Sequence, residues 1–195
     1  MNYKILYIIL LFEIVVAFLA TIHFKKNRNT TEKYFVYFLW YTFFTELTAT
    51  IAGVCFKYNL IQAYIIYDFV SLLFYMYWFH TILKKKANKR VLYYMGVIFI
   101  IVAVSDFIFQ DWQFTNNYTS IYGTFIIIIS SLLYFSELLK SNKVLNLKGE
   151  LRFWITTGLL LFNVGYVPIQ IFQKTFSAHY ETRIVITIVL NIILY

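Results

Sequence analysis

Residues Tyr34 to Phe56 read YFVYFLWYTFFTELTATIAGVCF and are bounded by Lys33 and Lys57. A hydrocarbon core about 30 Å thick needs roughly 20 apolar residues at about 1.5 Å each, so this stretch is long enough to cross a bilayer as one helix. Glu46 sits near its middle. An ionised side chain at that depth is costly, and an acid there marks either a function or a polar contact between helices. The plan recurs along the chain: an apolar span holding an acid, then a basic loop.

The other spans cover about residues 4–24, 61–83, 91–109, 118–139, 151–172 and 177–195. Their runs are continuously apolar rather than alternating, which excludes a membrane β-barrel. The expectation is an all-α membrane protein: a single domain over 1–195 formed by a bundle of seven transmembrane helices. The last span is short for the bilayer, because from Arg183 the chain has about 20 Å of helix left. It reads as truncated, and the natural chain is expected to continue past Tyr195. Glu13 interrupts the first span, and Lys25, Lys26 and Arg28 follow it. A secretory signal has the reverse polarity, so this span reads as the first membrane helix.

Composition agrees. The chain is 61% hydrophobic and 13% charged, whereas soluble domains carry about 25% charged residues. The net charge of +8 does not point to nucleic acid, because the basic residues lie in short loops between apolar spans. Thirteen of the 17 Lys and Arg fall after spans one, three and five, the group ending at Arg152; the other four are Lys4, Lys57, Lys174 and Arg183. By the positive-inside rule the N-terminus is outside and the C-terminus is cytoplasmic. The wealth of Ile, Phe, Tyr, Lys and Asn fits a bacterial source, and hence a multi-pass protein of the cytoplasmic membrane. Cys55 is the single cysteine, so no internal disulfide is possible, and it is expected to be a small buried side chain.

Five acids fall within spans: Glu13, Glu46, Asp68, Asp106 and Glu137. At about 1.5 Å per residue, Glu13 and Glu46 lie about 14 and 15 Å from the outer end of their spans, Asp68 about 10 Å and Asp106 about 5 Å. Glu137 is near an inner end, where it is expected to snorkel or to pair with Lys140. No Lys or Arg lies deep in any span. Two carboxylates close together in low dielectric cannot both stay ionised without a cation. Glu13, Glu46, Asp68 and Asp106 are therefore candidates to line an outward-facing acidic pocket for protons or a small cation; the sequence leaves open whether that cation is a metal. The alternative is that each acid is a neutral group bonded to a neighbouring hydroxyl, with Thr45, Thr48, Thr50, Ser71 and Ser105 available.

The sixth span contains Asn163-Val164-Gly165-Tyr166-Val167-Pro168-Ile169-Gln170, with the chain's single proline. Pro168 lacks an amide hydrogen and clashes with the carbonyl of Val164, which predicts a helix kink. Gly165 permits close backbone approach there. Asn163, Tyr166 and Gln170 lie at similar depth to the acids and are further candidates for the pocket, Tyr166 together with Tyr64 and Tyr67 as an aromatic wall for a cation. The other reading is a kink packed against a neighbouring helix. Trp40, Trp78 and Trp154 lie toward inner span ends, as interfacial belts require.

Zinc-protease, nucleophile-elbow and phosphate-loop motifs are missing, no cofactor site is evident, and a non-enzyme is expected. The sixth span as LRFWITTGLLLFNVGYVPIQIF, the Phe44-Thr45-Glu46-Leu47 pattern and SELLKSNK after the fifth span resemble a group of uncharacterised bacterial seven-helix membrane proteins. The resemblance implies a tail after the seventh helix and brings no activity with it. The functional expectation is a receptor-like or sensory module in the lipid bilayer, with an outer acidic pocket and a cytoplasmic or membrane protein partner. The alternatives are a proton- or cation-coupled small transporter and a non-catalytic structural subunit.

Overall fold

A computed structural model describes residues 3–22, 24, 30–56, 61–109, 118–141, 149–171, 186 and 189. These residues form six α-helices and no strand: α1 (Tyr3–Ile22), α2 (Lys33–Phe56), α3 (Ile61–Ile82), α4 (Lys86–Phe109), α5 (Tyr118–Leu139) and α6 (Leu151–Ile171). The seventh span lies outside the described residues except for Ile186 and Val189, both helical. Three helical segments, Tyr64–Ile82, Lys86–Asp106 and Tyr118–Leu139, are long and apolar enough to cross a membrane. In α2, the polar side chains Thr42, Thr45, Glu46, Thr48 and Thr50 interrupt the apolar run.

The one large boundary difference is at α4, which starts at Lys86 rather than at residue 91. The basic residues Lys86, Lys89 and Arg90 are thus helical. Lysine and arginine are good helix formers, and the start of α4 is stabilised from outside. Glu137 of α5 accepts hydrogen bonds from the Lys84 and Lys85 backbone amides at 2.7 and 3.0 Å and from Asn88 Nδ2 at 2.7 Å. The Glu137 partners are thus the turn before α4 and Asn88 rather than Lys140. Glu137 satisfies amides that the turn before a helix leaves open, where an anion is favoured by the helix dipole.

The other end of the α4–α5 pair repeats the device in reverse. Asp106, near the end of α4, accepts hydrogen bonds from Thr119 N at 2.7 Å and Thr119 Oγ1 at 2.6 Å, in the first turn of α5. Each of these antiparallel helices thus carries, in its last turn, the carboxylate that caps the start of the other.

Helices α3 to α6 share one core. Its centre is Leu72, Trp78, Phe79, Phe99, Ile126 and Leu159. α5 is the middle element and packs directly on α3, α4 and α6. Gly123 lets it approach α3: an added Cβ there would overlap Leu72 Cδ1 and come within 2.7 Å of Cδ2. Trp78 is 1% exposed and belongs to this core, not to the interfacial belt expected of it; facing the neighbouring helices rather than the perimeter outweighs its position near a helix end. Trp154, by contrast, is exposed.

α1 and α2 form a second closely packed pair. Trp40 Nε1 donates to Thr21 Oγ1 at 2.9 Å, and Phe24 meets Tyr37 edge to face at 5.9 Å. The pair joins the four-helix core mainly through rings. Phe38 stacks on Phe74 at 4.1 Å, Phe35 meets Trp78 at 4.8 Å, and Tyr41 stacks on Tyr67 at 5.8 Å. At one end, Arg152 Nε also donates to Glu32 Oε1. That ion pair and the Glu137 cap place Glu32, Lys84, Lys85 and Arg152 at the same end of the bundle.

Candidate functional site

The site follows from two helix registers. Trp40 opposite Thr21 and Tyr37 opposite Phe24 fix how α2 runs against α1. Carried along the pair, this register brings Glu13 level with Thr48, within one turn of Glu46. On the other side of α2, Tyr64 Oη donates to Glu46 Oε2 at 3.1 Å and Tyr67 Oη donates to Thr42 Oγ1 at 3.3 Å. Thr42 and Glu46 are one helical turn apart, as are Tyr64 and Asp68, so two polar faces meet across α2 and α3.

Glu13, Glu46 and Asp68 therefore belong to one neighbourhood. Glu13 is 3% exposed and lies within electrostatic reach of Tyr64 and Tyr67. Glu46 is in turn within reach of Asp68. Glu46, Asp68 and Tyr64 are half-buried. Ser71, one turn beyond Tyr67, borders the group's deeper edge. Ala49, buried one turn from Glu46, adds little bulk beside the carboxylate.

The hydroxyls expected to satisfy the acids mostly do something else. Thr45 donates to the Tyr41 carbonyl at 2.8 Å, Thr48 to the Phe44 carbonyl at 2.9 Å and Ser105 to the Val102 carbonyl at 2.8 Å. Such back-bonding within a helix is the common fate of Ser and Thr in membrane spans. The Glu46 partner is a tyrosine from the next helix.

The remaining candidates are placed elsewhere by the packing. Asp106 caps α5. Asn163 is buried in α6 and donates to the Leu159 carbonyl at 2.7 Å. The Tyr166 ring stacks on Phe162 at 5.5 Å. α6 packs on α5, whereas the acids come from α1, α2 and α3. Gly165, Pro168 and Gln170 lie in the last two turns of α6, which continues through Pro168 to Ile171. Cys55 is exposed, not buried as expected, because it falls near the end of α2 away from its packed face.

Glu32 carried no weight in the sequence, yet it is 5% exposed and holds Arg152. Burial alone would raise its pKa. Hydrogen bonds from Arg152 and Thr30, with the guanidinium charge, outweigh this and hold the carboxyl below its ordinary value of 4.5. The signal that could have found it is slight: Glu32 is the single acid in the first basic loop, and Arg152 is the basic residue at the start of the sixth span.

Among the described residues no three His, Cys, Asp or Glu side chains converge closely enough to hold a metal ion. The arrangement can nevertheless offer carboxylate and hydroxyl oxygens to a monovalent cation or a proton. Compared with protein-family models, curated proteins and solved structures, the chain matches none.

Proposed function

We propose that the protein is a receptor-like or sensory membrane module that binds a small cation or protons at the group formed by Glu13, Glu46 and Asp68. In this reading the chain crosses a bacterial cytoplasmic membrane seven times, N-terminus outside, and the basic face carrying the loops after α1, α3 and α5 meets a protein partner. The supporting observation is the Tyr64–Glu46 hydrogen bond in a neighbourhood that gathers three acids from three helices and, among the described residues, no lysine or arginine. An acid cluster kept at this depth has a cost that a bound cation or proton offsets.

A second reading, a structural subunit, draws on Asp106 and Glu137, since both of these acids serve as helix caps. The two readings separate on purified protein. We expect wild type to show a melting temperature that depends on pH or on added cation, and Glu46→Gln to lose that dependence while remaining folded. A response identical in wild type and Glu46→Gln would favour the structural subunit.

A further inference from the structure

We infer that the cation accepted at this site is a primary organic ammonium, seated on Glu46 between Thr50 and Asp68. This rests on the function proposed above and narrows it. Thr50 follows Glu46 by one turn on the same face of α2; it is 6% exposed, and its hydroxyl has no hydrogen-bond partner. Seven other helical threonines (Thr21, Thr45, Thr48, Thr81, Thr124, Thr156 and Thr157) donate to carbonyls of their own helix. A buried hydroxyl that declines this usual bond leaves a donor and acceptor one helical turn from Glu46, and buried polar groups are ordinarily satisfied. Glu46 Oε2 takes the Tyr64 hydroxyl, which leaves Oε1 outside that bond.

The chemistry selects among cations. A divalent metal needs several convergent oxygen ligands, and no three acids converge among the described residues. A proton has no use for the Thr50 oxygen. An R–NH3+ group carries three N–H donors, suited to Glu46 Oε1, the Thr50 hydroxyl and the negative field of Asp68. Its alkyl part would lie against the rings of Tyr41, Tyr64 and Tyr67, surfaces that favour an organic cation over a hydrated inorganic one. A single positive charge between Glu46 and Asp68 also offsets their mutual repulsion.

The test is thermal unfolding and isothermal titration of the full chain in detergent at constant ionic strength. The probes are n-butylammonium, tetramethylammonium, potassium and calcium chlorides. Butylammonium is expected to raise the melting temperature of wild type and to do nothing for Glu46→Gln. Its affinity should fall about tenfold in Thr50→Val and in Asp68→Asn, the size of one lost hydrogen bond or charge contact. Tetramethylammonium, which has no N–H donor, should be without effect. If Glu46→Gln does not fold, Thr50→Val carries the comparison. Equal binding of tetramethylammonium, or unchanged affinity in Thr50→Val, overturns the inference. Glu46-dependent stabilisation by potassium, calcium or pH alone also overturns it but leaves the proposed function standing. Absence of any Glu46-dependent effect removes both.

Discussion

Arg152 and Glu32 are 120 residues apart in the chain and form an ion pair in which one partner is nearly sealed from solvent. Such a pair is weak evidence of net stability, but breaking it strands a charge. Because Arg152 is 32% exposed, the penalty falls at the lower end of the usual range. Arg152→Met is expected to cost about 3 kcal/mol in reversible unfolding, and Glu32→Leu combined with it should recover most of that loss. The pH dependence has a definite sign. The folded Glu32 pKa lies below its ordinary value, so the contribution is complete above that value. It is lost as pH falls through the lower folded one. A stability profile of wild type should therefore decline in acid more steeply than that of the double variant. The same residue scale shows what a sequence can convey. Glu46 and Asp68 stand out by depth alone, since an acid inside an apolar span is conspicuous. Tyr64 does not, because its role depends on which turn of α3 faces which turn of α2. Eighteen tyrosines give no reason to select it.

At the level of elements, the α4–α5 hairpin is fastened at both ends by carboxylates that look from sequence like intramembrane acids. Asp106 and Glu137 each sit in the last turn of one helix and bond the first turn, or the turn just before it, of the other. Removing a cap of this kind costs about 1 kcal/mol. Asp106→Ala and Glu137→Ala should each lower stability by that order. Hydrogen exchange should accelerate at Thr119 in the first variant and at Lys84 and Lys85 in the second, without spreading to α1. A cap of this type was not legible because it pairs residues 13 and about 50 positions apart, and span boundaries alone do not reveal which ends are adjacent. The helices themselves were legible, since continuous apolar runs bounded by charge leave little freedom. Close packing at Gly123 offers a separate test. Gly123→Ala inserts a methyl against Leu72, and overpacking in a dense core costs typically 1–3 kcal/mol. Combining it with Leu72→Ala should cost less than the two changes summed, because the methyl then occupies space that the leucine vacates.

For the whole molecule, the described residues form a four-helix core with a two-helix pair laid against it through rings, and Glu13, Glu46 and Asp68 lie where the pair meets the core. In the proposed reading a cation held there would touch both parts at once, and its binding energy would bear directly on how α2 sits against α3. The aromatic layer between them has few fixed polar contacts apart from Tyr64–Glu46 and Tyr67–Thr42, so a ligand can bias it without breaking a core. The sidedness of the molecule follows from the same contacts. The Glu32–Arg152 pair and the Glu137 cap place Lys33, Lys85 and Ser141 at one end of the bundle. Tyr118, exposed at the start of α5, lies at the other, where Asp106 caps that helix. In the orientation proposed above, which follows the positive-inside rule, the first end is the cytoplasmic one. In a Cys55→Ser background, single cysteines at positions 33, 85 and 141 are expected to resist a membrane-impermeant maleimide added to intact cells and to react once the membrane is opened. A cysteine at position 118 should react in intact cells. Labelling of position 118 and position 85 from the same side would contradict the bundle itself. Labelling of 33, 85 and 141 together from outside would keep the bundle, invert its orientation and turn the Glu46 cluster toward the cytoplasm.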